Sequence, residues 1–446
     1  MGFSSRTGRR PAEYASKSAH SHVVLDKAVQ EFLKSCPPPG KADEAQLSNY
    51  CLIPFKPVAK NAVTHVIAFD SGYQEVPVRK DFPSAAVCFF QFGELLFGIE
   101  DLEHLEACEF IDPEDMAKLR TIQRRKLVLP VRNITFGGEA TLTQSARRAI
   151  YNFFNKSDDE VPVIDSLRWF LYREYEAKPD QSWELASCPL CGERKIPLDR
   201  SAISPQGTFS CPHCKGMIYL TDVLRLHEAI DDELGAGEIL GYVATAVEQL
   251  LMVHNMRTIL EDLKPAMFHQ VLFIKDGPLA FFGQTSNMHK PMRQLATFLF
   301  KKHNLYLAGL EKSGAFVDHA AAIARIMKDG EILILSDDYI YRYIVPGKVN
   351  PAHPYGSSSY YGSKLIFKTS TGRMYVLSLP TEQLKNSPRP EDFRNLMAIL
   401  TNVEKLRCDM YDNALLPVAL ANKLVSLSDH PSSKILQKFA IESMRH

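Results

Sequence analysis

Three groups of residues in this 446-residue chain have the types and spacing for chemistry. Asp276 closes the apolar run Val271-Leu272-Phe273-Ile274-Lys275-Asp276-Gly277-Pro278-Leu279. A short apolar run stopped by a carboxylate and a Gly-Pro turn reads as a buried strand that delivers an acid to a sheet edge. Asp70 stands in the same position after Val63-Thr64-His65-Val66-Ile67-Ala68-Phe69, followed by Ser71-Gly72. On neighbouring strands the two carboxylates could share divalent cations, which activate water and neutralise charge on a scissile phosphate. Asp-Gly and Asp-Ser-Gly are also ordinary turn chemistry, so neither aspartate decides alone. A third acidic ligand is expected nearby. Glu248 has Ala244, Val247 and Leu251 as core-side helical neighbours, where an unpaired carboxylate is costly. An interhelical ion pair is the other role open to it. Glu261 competes for the ligand role, but Glu261-Asp262 before Lys264-Pro265 has the character of a solvated helix end.

The remaining group is Cys188-Pro189-Leu190-Cys191 and Cys211-Pro212-His213-Cys214, two CxxC knuckles 19 residues apart. Four thiolates at this spacing surround one tetrahedral Zn2+, and a site closed by four cysteines is structural. His213 is a bystander, and Phe209 or Tyr219 is placed to pack beside the metal. Such a module can grip DNA, recognise a partner or staple an insertion. The other five cysteines are scattered, which suits a reducing compartment with one metal site rather than a disulfide framework.

The elements that must position these groups follow from patterning. Residues 1–45 are polar, with a helix around Val23–Leu33 and a Pro-Pro-Pro-Gly run at 37–40. Strands follow from residue 62, with Ala85–Phe92 and Glu94–Gly98 forming a hairpin. Residues 112–155 read as helical. Gly237–Leu263 repeats apolar residues every three or four positions, a long helix that feeds the 271–276 strand. Helices are expected at Met292–Phe300, Ala320–Met327, Pro390–Tyr411, Val418–Leu427 and Ser433–Glu442. Strands are expected at Leu305–Leu310, Glu331–Leu335, Tyr339–Ile344, Lys364–Phe367 and Met374–Leu377. Asp337-Asp338 reads as a turn and Asp318-His319 as a helix start. The predicted class is α/β, a mixed sheet flanked by helices with an inserted module. The expected divisions are an N-terminal arm at 1–60, a first core part at 61–160, the cysteine module at 161–235 and a second core part at 236–446.

Composition narrows the function classes. Lysine plus arginine and aspartate plus glutamate are balanced at 52 each. This argues against a protein that coats nucleic acid, and leaves room for an enzyme with a local basic groove. Arg124-Arg125-Lys126 and Arg147-Arg148 are the clusters suited to phosphate, and Tyr360-Tyr361 beside Lys364 is suited to stacking on a single strand. No apolar run spans a bilayer and no secretory leader is apparent, so a cytoplasmic protein with no membrane contact is expected. There is no phosphate-binding GxxxxGK[ST] loop, dinucleotide fingerprint or GxSxG elbow. If DNA is threaded, the motor is a separate chain.

The order of Phe69-Asp70-Ser71-Gly72, the long helix, Ile274-Lys275-Asp276-Gly277-Pro278-Leu279 and then Leu310-Glu311-Lys312-Ser313 resembles the NurA nuclease family. The resemblance covers roughly residues 62–100 and 236–430. It implies an RNase H-like core and a manganese-dependent DNA-end nuclease. It also implies a homodimer partnered by a HerA-type hexameric ATPase translocase, with DNA-end processing or defence against phage as the role. Carried over by position, Asp70 and Asp276 match metal ligands for Mn2+ or Mg2+, and Glu248 is the best match to a helix-borne glutamate. Lys312 matches a lysine that contacts phosphate. Asn422, within Leu416–Lys423, stands where the family has histidine, with Tyr411 as the upstream aromatic and His430 as a nearby alternative. Asparagine can ligate a metal through its carbonyl but cannot act as general base. That departure and the inserted zinc ribbon keep a second reading open, a non-catalytic zinc-ribbon adaptor that docks a partner ATPase or DNA.

Overall fold

The computed structural model describes residues 17–36, 38–79, 81–100, 121–156, 161–408, 411, 413–427 and 432–444. Strand β1 spans Cys51–Pro54, β2 His65–Arg79, β3 Ala85–Gly98 and β4 Thr121–Arg132. The cysteine region forms two hairpins, β5 Ser182–Ser187 with β6 Arg194–Asp199, and β7 Thr208–Ser210 with β8 Met217–Tyr219. Then come β9 Val271–Asp276, β10 Tyr306–Glu311, β11 Glu331–Ile334, β12 Gly362–Lys368 and β13 Met374–Pro380. Nine of these strands make one mixed sheet in the order β1-β11-β12-β13-β10-β9-β2-β3-β4. Only its centre is parallel: β9 runs with β2 on one side and with β10 on the other.

Helices α1 Lys17–Leu25 and α2 Lys27–Lys34 open the described chain. Helices α3 Leu142–Asn155, α4 Val163–Leu171, α5 Leu240–Glu261 and α6 His289–Lys302 follow. Next are α7 Ala315–Ile323 and α8 Asp337–Tyr343. The last are α9 Leu396–Lys405, α10 Leu416–Val425 and α11 Ser432–Ser443.

The apolar central strands are explained by burial on both faces. In β9, Val271 and Phe273 join the core under α3–α6, while Leu272 and Ile274 join the opposite core under α9 and α10. In β2, Ile67 and Phe69 face the first core, and Val66 and Ala68 the second. A strand covered on both sides loses the apolar–polar alternation of a one-sided strand. The cysteine hairpins pack their inner side chains, among them Leu185, Ile196, Leu198 and Ile218, into the α3–α6 core.

Several expectations are corrected. Ala85–Gly98 is one continuous strand, and its hairpin partner is β2. Of the helix expected at 112–155, residues 112–120 lie outside the described residues and 121–132 are β4. Leu127, Leu129 and Val131 alternate into the core as β4 pairs with β3, so period two prevails. The expected strand at Tyr339–Ile344 is α8, because Ser336 caps it by accepting from the Tyr339 N–H and Asp337 and Asp338 fill the acidic first turn. The N-terminal helix is broken at Asp26, whose carboxylate caps α2. The 390–411 helix shrinks to α9, and the helix expected to start at Ala320 starts at Ala315.

Candidate metal centre at the sheet edge

The sheet brings Asp70 and Asp276 together. β2 and β9 pair in parallel through Phe69 and Lys275, and each aspartate is the next residue. The C-terminal edge of parallel strands is where α/β sheets place their ligands. Strand alternation puts Asp70 with Val66 and Ala68, and Asp276 with Leu272 and Ile274, on the side covered by α10. Lys312, just after β10, ion-pairs with Asp276 at 2.6 Å.

Asp70 is 4 % exposed. Its Oδ1 accepts the Ser71 N–H at 2.8 Å, and its buried Oδ2 has no hydrogen-bond partner. Burial, and then the charge of Asp276, pushes the Asp70 carboxyl up to about 6, against opposing help from Lys312, the Ser71 N–H and the Asn422 side chain. Asn422 thus reaches Asp70 and favours its charged form, while Oδ2 stays without a bond of good geometry. The Asn422 side is exposed, as is Tyr411. His430 lies outside the described residues.

The α10 helix can approach this closely because β2 and β3 present two glycines to it. A Cβ at Gly72 would sit 2.2 Å from the Val425 carbonyl oxygen, and one at Gly93 2.5 Å from a Val425 methyl. Any side chain at either place would lift α10 off the sheet.

Glu248 occupies the other side. It hangs from α5, and alternation in the strands turns Ser71 and Lys275 toward it rather than toward α10. Ser71 Oγ donates a short hydrogen bond to Glu248 Oε1, and Lys275 Nζ lies 3.8 Å from Oε2. Burial pushes the Glu248 carboxyl up to about 8, opposed by Lys275 and reinforced by Asp70 and Asp276. Among the described residues the three carboxylates do not converge as tightly as the four cysteines do. They sense one another electrostatically, with lysines interposed.

Two buried carboxyls, the half-buried Asp276 carboxylate beside them and an oxygen without a donor form a set that a hard cation suits. The donors are all carboxylate oxygens, the chemistry preferred by Mg2+ and Mn2+. Asp70 and Asp276 therefore fit a divalent ion on the α10 side. Glu248 fits a supporting ligand or a charge partner from the α5 side.

Sequence reasoning missed Ser71 and Lys275 as the groups that hold Glu248. The signal was Lys275 itself, a charge inside an apolar run and only 3 % exposed. It also missed Glu94, 2 % exposed, which takes a short hydrogen bond from Asn255 and lies 3.6 Å from Arg125. That network ties α5 to β3 and β4.

Other sequence candidates fall outside the site. Arg147 is buried and forks onto Asp222 at 2.6 and 2.9 Å, and Arg148 pairs with Glu139. Tyr360 and Tyr361 are buried, and Lys364 is closed onto Glu311. His319 bonds the Tyr339 hydroxyl at 2.7 Å. Glu261 pairs with Arg257 at the end of α5.

The cysteine knuckles form a second, self-contained centre. Their backbones repeat one pattern: Cys188 N–H donates to Glu193 and Gly192 N–H to Cys188, as Cys211 N–H donates to Gly216 and Lys215 N–H to Cys211. All four Sγ atoms lie within 4.8 Å of one another, with 3.9 Å between Cys188 and Cys214 and between Cys191 and Cys211. A tetrahedron with Zn–S bonds of about 2.3 Å has edges of about 3.8 Å, so the thiols fit zinc. Tyr219 stacks on Tyr151 at 4.2 Å, and Phe209 is buried in the main core.

Comparison with solved structures finds similarity along nearly the whole chain. The NurA nuclease from Sulfolobus solfataricus matches at 9% identity and a TM-score of 0.34, over 97% of this chain and 98% of that one. A second NurA structure matches at 11% identity and a TM-score of 0.31, over 97% and 99%. A NurA structure with manganese matches at 12% and 0.29, again over 97% and 99%. No protein-family model and no curated protein matches the chain. No helix among the described residues is long and apolar enough to cross a membrane.

Proposed function

We propose that this chain is a divalent-metal-dependent DNA nuclease with an RNase H-like core. The observation that carries the reading is the pair Asp70 and Asp276 on adjacent parallel strands, with mutually unfavourable charges and one buried oxygen lacking a donor. Asp70 and Asp276 would hold Mn2+ or Mg2+, with Glu248 as the third acidic group. A bound ion would supply an activated water and neutralise charge on the phosphate. Lys312, which pairs with Asp276 here, would contact the phosphate. Ser71 and Lys275 keep Glu248 fixed and partly neutralised. The Asn422 amide donates to Asp70 and cannot take up a proton, so no general base is drawn from α10.

The four cysteines are proposed to hold structural Zn2+ as a ribbon, within the divisions expected from sequence. The same reading makes the protein a cytoplasmic homodimer coupled to a HerA-type translocase, acting in end processing or phage defence. Asn422, in the place where a histidine is expected, favours one rival, a zinc-ribbon adaptor whose core only docks an ATPase or DNA. Incubating linear DNA with the full chain and Mn2+, with and without a partner motor, tests the two. Cutting that disappears in folded Asp70→Ala and Asp276→Ala proteins supports the nuclease, and no cutting in any divalent metal leaves the adaptor.

A further inference from the structure

The exposed side of α6 borders two clefts that share Lys290 and Gln294. The larger, about 710 Å3, lies between β5, the first turn of α6 and the 353–358 segment, and Trp183 forms part of its wall. Its volume is that of a small-molecule site. The second, about 560 Å3, runs on along α6 and has five basic residues, Arg173, Lys290, Arg293, Lys301 and Lys302, against Glu176 and Glu382. Arg173 pairs with Glu176 and Lys301 with Glu382, and Arg293 donates to the Tyr360 carbonyl, so Lys290 and Lys302 are the cations with no ion pair among the described residues.

Lys290, Arg293, Thr297 and Lys301 recur at three- and four-residue steps, so they share one face of the helix. The stripe is about 16 Å long at 1.5 Å per residue. In a chain of zero net charge, such a local field marks an anionic partner. The larger cleft adds groups suited to a base. Trp183 offers an aromatic ring, and its Nε1, Asn287 Oδ1 and His289 Nε2 have no hydrogen-bond partner. His289 is 4 % exposed, with its Nδ1 on the Ser286 carbonyl and the Ser357 carbonyl nearby.

We propose that the two clefts form one track for single-stranded DNA, with a base stacked on Trp183 and the following phosphates along the α6 stripe. A ring in a cleft wall can stack only on an unpaired base, which selects single strand over duplex. The proposal takes its polymer from the nuclease reading but uses none of the carboxylates, and it is read by binding rather than cutting.

The chain has two tryptophans, and Trp169 is 1 % exposed, so Trp183 reports the cleft. Full-length protein is titrated with a ten-residue oligothymidylate in buffer without added divalent cation, following tryptophan fluorescence. The expected result is saturable quenching that Trp183→Phe removes. The Lys290→Ala/Lys302→Ala double variant, with unchanged circular dichroism and cysteine-bound zinc, should bind about tenfold more weakly. Its log–log salt slope should be about one unit shallower. Absent quenching, equal quenching by thymidine monophosphate or blunt duplex, or unchanged affinity in the lysine variant each overturns the track. Binding with no cutting under Mn2+ sustains the track while refuting the nuclease, and cutting without Trp183 quenching does the reverse.

Discussion

The cysteine knuckles draw four donors within 4.8 Å of one another, whereas the carboxylates at the sheet edge stand apart with Lys275 and Lys312 between them. The thiols are presented by two short hairpins with matched backbone bonds, so the cluster is shaped by residues near it in sequence. The carboxylates arrive from β2, α5 and β9, and only the assembled sheet sets their spacing. A cage of four converging thiols would keep an ion, whereas carboxylates this loosely gathered would suit one that exchanges.

The largest test of that contrast is Asp276→Asn and Asp70→Asn. Manganese-dependent cutting of linear DNA should fall on the order of 10^3-fold or more. The melting temperature of Asp70→Asn should hold or rise, since a buried, poorly partnered charge is removed. A fall of several degrees would show that the carboxylate stabilises the fold and would break the comparison. Next, Cys211→Ser should lower zinc from one ion per chain to none by elemental analysis and reduce the melting temperature. Structural zinc sites contribute roughly 10 kcal/mol of folding energy in small modules. Zinc retained in that variant would remove the ribbon.

Lys312→Met should slow cutting about tenfold, the scale of one lost phosphate contact. It should also move the acid limb of the pH–rate profile upward, because the lysine holds Asp70 down. An unmoved limb would place Lys312 outside the site. The smallest effect is on stability. Asp70 and Glu248 have folded values raised to about 6 and about 8, so the folded state binds more protons than the unfolded state between pH 4 and 8. Stability should therefore decline as pH rises through that window, by a few degrees of melting temperature, with Mn2+ restoring the upper part. A melting temperature that climbs steadily from pH 4 to 8 without metal would contradict the buried-acid reading.

The same contrast explains what the sequence disclosed. Cys188, Cys191, Cys211 and Cys214 are legible because knuckle spacing is local. Val271–Asp276 is legible because burial on both faces leaves an unbroken apolar run. β4 and α8 differ from expectation, since Val128 and Pro130 fill the positions between Leu127, Leu129 and Val131 and leave no apolar–polar alternation to read, and Tyr339–Ile344 has strand-like composition that the Ser336 cap overrides. The partition of Asp70 and Asp276 to one side and Glu248 to the other was not legible at all. It depends on the parity of two strands whose pairing joins residues some two hundred positions apart.

The notch made by Gly72 and Gly93 has a consequence in time. A ribosome releases β2 and β3 long before Leu416–Val425, and until that helix settles against the two glycines Asp70 lacks its cover and its Asn422 contact. A nascent chain thus carries an unfinished edge throughout most of its synthesis. The cell would meet the assembled centre only once translation has passed the segment that seals it.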